Sequence, residues 1–372
     1  MTRPVDKVKV EAVGVGELDR FTSFAITSDL MQPSEASFEI GDDGSWASLE
    51  KYIAPGTKYR VFVNSTLRLT GMVNVNDVPT DLSGSVVRFT VRTKLADAFY
   101  ASADPRTKTN GVSIARFLLD IFAPLGYTDA DFIFDADLSR NLMTGVSRTT
   151  GKAPTDLEPL KEEQARINPP ETIYQAVTRH LARFGLMIWD SPDGRIVVGA
   201  PNDEQAPLYY FRMLFGAMGR ENNLLSANRI KDWSDVASVI GVFGAGGKAG
   251  FQLARARSVI SDDDLVKAGF YRPVIIVQES IATNALAARY AKREKTNRQK
   301  RKEVWDLTID GLSYWDGNKS IPFGLDTVGD IVTSAAGGPA GSHLIIRVES
   351  RRDPNQGDMT RLLVLKKGLW SL

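Results

Sequence analysis

The residues best suited to phosphate chemistry lie in a glycine-rich segment, Gly244-Ala-Gly-Gly-Lys248. A phosphate-binding loop requires Gly-x-x-x-x-Gly-Lys followed by Ser or Thr, whose hydroxyl coordinates magnesium. Here Ala249 follows Lys248, and Val242 occupies the position of the first glycine. The segment therefore predicts the tip of a hairpin, and we expect no nucleotide cofactor.

A first group of acidic residues has the chemistry for glycoside hydrolysis, which needs a pair of carboxylates. It comprises Glu162, Glu163 and Glu171 together with Asp190 and Asp193. These residues fall in a polar loop and a turn, with no compact helical domain to hold two of them at a fixed separation. The pattern favours a solvated loop, and we expect no catalytic residue among them.

A second acidic group, Asp262-Asp-Asp264, could attract a cation but lacks the spacing and the glycine of a calcium-binding loop. We expect Ser261 and these acids to cap a short helix, Asp262–Ala268, because carboxylates stabilise a helix N-terminus. The chain has no cysteine and only two histidines, His180 and His343. His180 is predicted to be a surface or interface histidine, away from the apolar face of its helix. The sequence thus predicts neither a metal site nor a catalytic triad.

The strongest concentration of charge is basic and runs from Arg289 to Lys302, with eight basic residues and one glutamate. It follows an alanine-rich segment, Ser280–Ala291, and we expect one helix over residues 280–300 whose Ala282, Ala285 and Ala288 face packs closely. Three roles remain open for the cations: salt bridges to another subunit, contact with nucleic acid, or a solvated face.

The whole-chain composition excludes several classes of protein. The chain has 372 residues, 46 basic against 45 acidic side chains, and a net charge of +1, which argues against a dedicated nucleic-acid-binding protein. The length predicts two or three domains. The first residues contain no apolar segment of a secretory signal, and no apolar run reaches the ~20 residues of a membrane helix. We therefore expect a soluble protein made in a cytoplasm.

Residues 1–103 show the alternation of apolar and polar residues that is typical of antiparallel strands. Val8, Val10 and Ala12 alternate with charged residues, and Val87–Val91 repeats the pattern. Turn-forming residues separate these segments, as at Ala54-Pro-Gly56. We predict an N-terminal β-barrel here.

Residues 104–205 predict a small α+β middle domain. Ser113 is suited to cap a helix that ends at Phe122, and a second helix is expected from Pro170 or Glu171 to Phe184. The hairpin Leu186–Val198 follows. Residues 138–170 are polar, and we predict a long mobile loop with little to bury.

Residues 206–372 predict a C-terminal β-barrel that includes the helix 280–300. The fold class expected from the whole pattern is mainly β (α+β), with two tube-like antiparallel β-barrel domains and a small α+β middle domain. One strand, Arg361-Leu-Leu-Val-Leu365, carries apolar residues on both faces. We expect such a strand to need a neighbouring subunit.

The order of these segments resembles the baseplate hub proteins of contractile, Mu-like phage tails. At the N-terminal end the matching segments are Thr22–Leu30, Ala36–Ile40, the Pro-Gly turn with its strand at Ile53–Val63, the Thr-Gly partner at Arg68–Asn74, and Val87–Asp97. At the C-terminal end they are Val304–Ile309, Asp310–Trp315, Asp330–Thr333, Leu344–Glu349, Asp353–Asp358 and Thr360–Leu365. The resemblance covers nearly the whole chain, and it departs at residues 138–170, which are longer and more polar.

The resemblance implies a structural protein and not an enzyme. It implies a homotrimeric ring that joins the tail tube to a trimeric central spike protein, contacts other baseplate proteins, and lets DNA pass through its channel without sequence-specific binding. It also implies a place in the virion after assembly in the bacterial host cytoplasm, with no membrane insertion. The base of a type VI secretion spike and a tail-associated cell-wall hydrolase are the alternatives.

The candidate contacts with another subunit or a partner combine the basic run with the acidic triplet. They are Arg289, Lys292, Arg293, Arg298 and Arg301 on one side, and Asp262, Asp263 and Asp264 on the other. Pairs of this kind fix orientation more than they add stability. No cofactor is expected.

Overall fold

A computed structural model describes residues 5–18, 21–41, 50–54, 56–78, 80–81, 84–152, 165–216, 222–244, 256–278, 281, 283–316 and 319–369. The helices are α1 Ala96–Tyr100, α2 Ile114–Phe122, α3 Ile173–Ala182, α4 Asp263–Lys267 and α5 Asn284–Lys302. The strands are β1 Val8–Ala12, β2 Gly16–Leu18, β3 Ser23–Asp29, β4 Glu35–Gly41, β5 Lys58–Val63, β6 Thr66–Asp77, β7 Thr80–Asp81, β8 Gly84–Arg92, β9 Phe132–Phe134, β10 Met187–Asp190, β11 Ile196–Gly199, β12 Tyr209–Met213, β13 Leu224–Ile230, β14 Val239–Gly244, β15 Arg257–Ser261, β16 Pro273–Gln278, β17 Val304–Asp310, β18 Ser313–Asp316, β19 Lys319–Pro322, β20 Thr327–Thr333, β21 Gly341–Asp353 and β22 Gly357–Lys366.

The N-terminal strands form an antiparallel sheet in the order β3-β4-β8-β6-β5-β1-β2. Their inward residues alternate as predicted and share one core, with Val10, Phe38, Tyr59 and Phe89 buried. The predicted Thr-Gly hairpin partner lies in β6, and its glycine has a physical reason. A Cβ on Gly71 would lie 2.3 Å from the carbonyl oxygen of Arg92, so the approach of β6 to β8 requires glycine.

The C-terminal strands surround a second core in the order β13-β17-β22-β21-β20-β12. Asparagine side chains connect the two end strands, because Asn223 Oδ1 accepts from the amide of Arg212 at 2.8 Å and Asn222 Oδ1 accepts from that of Leu214 at 2.7 Å. These bonds bring the start of β13 to the end of β12 and close the ring of strands. The predicted mainly-β fold with an α+β middle part is confirmed.

One long strand, β21, belongs to both halves. Its residues 341–345 pair with β20, and its residues 347–352 pair with β3. The register shifts between Ile345 and Arg347, and a bulge of this kind bends a strand and increases its twist. The two barrel-like halves are therefore parts of a single sheet of 14 strands.

The middle part of the chain packs two helices over the three-stranded sheet β10-β11-β9. Ser113 accepts a hydrogen bond from the amide of Arg116, as predicted for a helix cap. The second helix begins later than expected, since Thr172 is its N-cap and forms a capping box with Gln175. Its His180 is fully buried and packs edge-on against Phe117 at 5.0 Å between centroids. The prediction of a surface or interface histidine away from the apolar face is wrong, because Val177 and His180 are three residues apart and share one face.

The described parts of segment 138–170 are not an unpacked loop. Leu138, Leu142 and Ile167 are buried in the core of the middle part, and Arg183 donates to the carbonyl oxygen of Leu142 at 2.9 Å. Leu138 and Leu142 are four residues apart, but the described residues around them form turns and no helix, so their burial depends on distant parts of the chain. Residues 153–164, on which the predicted mobility also depends, lie outside the described residues.

A further lobe lies within the stretch predicted as the C-terminal barrel. It is a three-stranded sheet, β15-β14-β16, in which β14 and β16 run parallel. The helix α5 packs on one face of this sheet, against β14 and β15. The domain limits 1–103, 104–205 and 206–372 stay a prediction, but this lobe has its own core within the last of them.

Candidate interaction surface

The basic helix α5 presents a different alanine face from the one predicted. Ala287 and Ala291 are buried against Ile240 and Val242 of β14, whereas Ala285 and Ala288 are exposed. Several faces of this helix carry alanines of equal hydrophobicity, so the sequence alone did not show which face is buried. Ala282 lies outside the described residues.

Two cations of this helix bind groups of their own lobe. Lys295 Nζ lies 3.9 Å from Asp262 Oδ2 and donates to the carbonyl oxygen of Ser261 at 3.0 Å. Arg298 pairs with Glu294 at 2.8 Å and donates to the carbonyl oxygen of Asp235 at 2.9 Å. Lys295 was not among the predicted contacts. The signal that would have found it is its position one helical turn before Arg298, on the side that faces the sheet.

The remaining predicted contacts are described only in part. Arg289, Lys292, Asp263 and Asp264 are exposed. The side chains of Arg293 and Arg301 lie outside the described part of the chain. Asp262 is the N-cap of α4, accepting from the amide of Leu265, which corrects the predicted cap Ser261. Whether the exposed members meet another subunit stays a prediction.

The outer face of the lobe's sheet, opposite α5, is apolar and open. Val259 of β15 lies opposite Gly241 of β14, which in turn lies opposite Ile275 of β16. Val259, Ile275 and Val277 are exposed, Ile275 by 72%. Tyr271, just before β16, is also 72% exposed. A cluster of large apolar residues on one exposed face is typical of a protein-protein contact.

A second exposed apolar group lies on the outside of the C-terminal barrel. Tyr210 of β12, Leu225 of β13, Val332 of β20 and Phe215, which follows β12, are all exposed. β12 is paired with β20, and hydrogen bonds of the Asn223 side chain connect it to the start of β13. These exposed side chains therefore lie on or next to neighbouring strands. This part of the barrel wall also has the character of a contact surface.

The strand β22, which carries apolar residues on both faces, is largely covered within the single chain. Leu362 and Val364 lie in the barrel core, and Leu365 on the opposite face is only 3% exposed within the single chain. Leu363 on the same face as Leu365 is half-buried, and whether a neighbouring subunit covers it stays a prediction. Arg361 of β22 pairs across the sheet with Asp306 of β17.

The acidic residues considered for hydrolysis have separate partners. Glu171 pairs with Arg179 at 2.7 Å, and Asp193 pairs with Arg195 at 2.7 Å, and these bonds help to hold the pKa of both carboxyls below its usual value. Asp190 is buried under the N-terminal barrel. Glu162 and Glu163 lie outside the described residues.

Both histidines are buried. Burial lowers the pKa of His180 to about 3 and also lowers the pKa of His343. Among the described residues, no group of three or more His, Asp and Glu side chains could hold a metal ion. In that same part of the chain, no helix has the length and apolar composition needed to cross a membrane.

Comparisons with known proteins bear on the fold. No family model and no curated protein sequence matches the chain. The structure is similar to a tail protein from Neisseria meningitidis MC58, at 16% identity and a TM-score of 0.75 over 99% of this chain and 98% of the other. It is equally similar to the 43 kDa tail protein of prophage MuSo2 from Shewanella oneidensis, at 18% identity and a TM-score of 0.75 over 98% and 100%.

A more distant similarity extends to a protein of a secretion system. An Escherichia coli component of the type VI secretion system, described as structurally similar to the bacteriophage T4 tail proteins gp27 and gp5, matches at 10% identity and a TM-score of 0.55. The match covers 98% of this chain and 78% of the other. The predicted resemblance is confirmed at the level of the fold, which this chain shares with tail proteins over its whole length.

Proposed function

We propose that this chain is the structural baseplate hub protein of a contractile phage tail, and that three copies form a ring joining the tail tube to the central spike. The observation that carries the proposal is the end-to-end match with the tail protein of a Mu-type prophage, which leaves almost no residue of either chain uncovered.

The arrangement of the two cores supports a ring of this kind. Each chain contains two barrel-like halves around separate cores. Three chains would thus present six similar units to a sixfold tube, while keeping a threefold axis for the spike. This adaptation of symmetry is mechanical, and no bond is made or broken.

The shared strand β21 supports a mechanical role as well. Because it pairs with β20 at one end and with β3 at the other, a relative movement of the two halves would break main-chain hydrogen bonds. Domains joined by a small interface are expected to move, whereas a continuous sheet resists bending between them. A rigid subunit is what a channel for DNA under strain requires.

The exposed apolar groups supply surfaces for assembly. The faces formed by Val259, Ile275 and Val277, and by Tyr210, Leu225 and Val332, lie on two different elements of the C-terminal half. A heterologous contact between two different patches generates a closed ring when the rotation between copies closes. The spike, the tail tube and other baseplate proteins are the further partners, and the proposed location is the virion.

Two alternatives make different predictions. The base of a type VI secretion spike has the same fold, but the match to that class has a TM-score of 0.55 against 0.75 for the phage tail proteins. A tail-associated cell-wall hydrolase needs two carboxylates free to act on one bond, and Glu171 and Asp193 are each engaged by an arginine.

Light scattering at micromolar concentration, followed by negative-stain microscopy, tests the proposal. We expect the mass of a trimer and a ring with an open channel and pseudo-sixfold outline. A monomer at that concentration would count against the hub, and clearing of peptidoglycan in a zymogram would favour the hydrolase. Binding of the purified ring to isolated tail tubes but not to type VI tubes would separate the two injection devices.

A further inference from the structure

A buried arginine lies where the three parts of the chain meet. Arg68 belongs to β6, where it is the extra residue of a β-bulge, because Leu69 pairs with Val61 of β5 and Leu67 pairs with Phe62. It is only 7% exposed. Loss of hydration lowers the pKa of its guanidinium to about 10, so the group remains charged at neutral pH.

No carboxylate among the described residues helps to hold this charge. The one group that offsets the loss of hydration is Tyr209 of β12, whose hydroxyl donates to the carbonyl oxygen of Pro322 and accepts from the amide of Gly324. A buried charge without a counter-ion costs several kcal/mol, so proteins normally pair it. A buried guanidinium that lacks a carboxylate therefore points to an anion supplied from outside the chain.

Arg68 lines a cavity with room for such an anion. The cavity has a volume of about 220 Å³ and is lined mainly by apolar surface, including Leu69, Trp189, Val197 and Leu325. Sites for drug-sized ligands have roughly 300–1,000 Å³, so this one suits a small molecule. A guanidinium presents its donors in a planar fork that matches a carboxylate.

Another wall of the same cavity offers a hydrogen-bond acceptor. Asp190 is buried, and its Oδ2 accepts from the amide of Ser34 at 2.8 Å and from the hydroxyl of Thr93 at 2.7 Å. Its Oδ1 accepts no hydrogen bond from the residues that the structure describes. A buried carboxylate oxygen in this state favours a ligand that carries a donor.

We propose that this cavity binds a small carboxylate that also carries a hydroxyl or amino group, with the carboxylate on Arg68 and the donor on Asp190 Oδ1. Arg68 and Asp190 then each bind a group of complementary charge or hydrogen-bonding character. The ligand would connect the N-terminal sheet to the middle hairpin and to the loop at Gly324. The site does not depend on the hub assignment, since all its residues belong to a single chain.

Isothermal titration and thermal unfolding of the full-length chain test the proposal with L-lactate, propionate and propionamide as probes. We expect L-lactate to bind and raise the melting temperature, propionate to bind at least tenfold more weakly because it lacks the donor, and neutral propionamide not to bind. Arg68→Met keeps an apolar stem without the fork, and we expect it to lower the affinity for L-lactate at least tenfold.

Asp190→Asn tests the second wall. The asparagine keeps an acceptor for Ser34 and Thr93 but replaces the other oxygen with an amide, so L-lactate should lose its advantage over propionate. Arg60→Met, an exposed arginine on the neighbouring strand β5, is the matched control and should bind like the unmodified chain.

Binding of L-lactate that is unchanged in Arg68→Met would overturn the proposal, as would no binding up to about ten millimolar in the unmodified chain. If Arg68→Met does not fold, nuclear magnetic resonance of the arginine Nε–H groups in the unmodified chain tests whether L-lactate binds at Arg68. A shift of the Arg68 signal, assigned through Arg68→Lys, supports the site, and an unshifted signal at saturating L-lactate overturns it.

Discussion

The backbone amide of Leu312 donates a 2.7 Å hydrogen bond to Oδ2 of Asp6, although 306 residues separate the two. The Leu312 side chain lies in the N-terminal core while the residue itself connects β17 to β18 of the C-terminal half. Arg352 of β21 also donates to the carbonyl oxygen of Asp6 at 3.3 Å. The segment before β1 and the second barrel are therefore joined by a buried polar contact, in addition to the sheet that the two halves share.

Replacement of Asp6 should weaken this contact measurably. Asp6→Ala leaves the amide of Leu312 without its acceptor in a buried place. The Asn64 side-chain amide, in contrast, keeps the hydroxyls of Ser313 and Ser320. We expect the free energy of unfolding to fall by about 1–3 kcal/mol, the usual cost of leaving a buried donor unsatisfied. Urea unfolding at neutral pH measures it. Asp6→Asn keeps an acceptor oxygen and should lose clearly less; equal losses in the two variants would contradict the account.

The stability of the chain should depend on the ionisation of Asp190. Burial raises the pKa of this carboxyl from 3.8 to about 6. Between those values the folded chain holds a proton that the unfolded chain has released, so the contribution of Asp190 to stability falls as the pH rises through 6. Two pKa units correspond to about 2–3 kcal/mol.

Asp190→Asn isolates this effect because it cannot titrate. We expect the variant to gain stability relative to the unmodified chain as the pH rises from 4.5 to 7.5, by up to about 2–3 kcal/mol. Unfolding curves of both proteins at several pH values, in buffers free of carboxylates, measure the difference. A difference that does not change with pH would show that Asp190 stays ionised, or stays neutral, throughout.

The packing of α5 can be tested by enlarging single alanines. Ala291→Leu adds three heavy atoms to a buried site beside Ile240 and Val242, and we expect a loss of about 1–3 kcal/mol from overpacking. Ala288→Leu lies on the exposed face and should change stability by less than about 0.5 kcal/mol. Hydrogen exchange of the β14 amides reports on the lobe directly. If Ala288→Leu were the damaging change, the originally predicted face would be the buried one.

The predicted salt bridges between subunits call for a charge exchange. Arg289→Glu with Lys292→Glu reverses two exposed cations, and we expect trimer dissociation at dilution while the melting temperature of the monomer is kept. Adding Asp263→Lys with Asp264→Lys should restore the trimer if the two groups face each other across an interface. Sedimentation at low and high salt measures both results.

Arg298 is unsuitable for that experiment, because it is bound to Glu294 and to the carbonyl oxygen of Asp235 within its own lobe. Its reversal would disturb the lobe whether or not subunits meet there. A trimer that survives the reversal of Arg289 and Lys292 at all salt concentrations would remove the basic run from the interface and leave contact with nucleic acid, or a solvated face, to be tested.

The strands of the N-terminal half could be predicted because local alternation and burial agree there. Val8, Val10 and Ala12 all point into one core, and only this register buries them. Ser113 could likewise be predicted as a helix cap, since a cap depends on residues within one turn.

Features that depend on distant residues could not be predicted in this way. The pairing of Arg347 with Asp29 joins β21 to β3. Neither strand contains a sequence pattern that identifies the other as its partner. The burial of His180 depends on Phe117 of another helix. The cavity at Arg68 was missed for the same reason, because its walls come from five separate stretches of the chain.

The shared strand β21 has a consequence for biosynthesis. β3 is complete near the start of translation, but its partner lies more than three hundred residues downstream. At about 5–20 residues per second, the ribosome needs on the order of tens of seconds to deliver that partner. Throughout this interval the edge of β3 has unpaired amides and carbonyls that can join another nascent chain. Synthesis rate and chaperone supply, more than equilibrium stability, should therefore limit the yield of soluble protein.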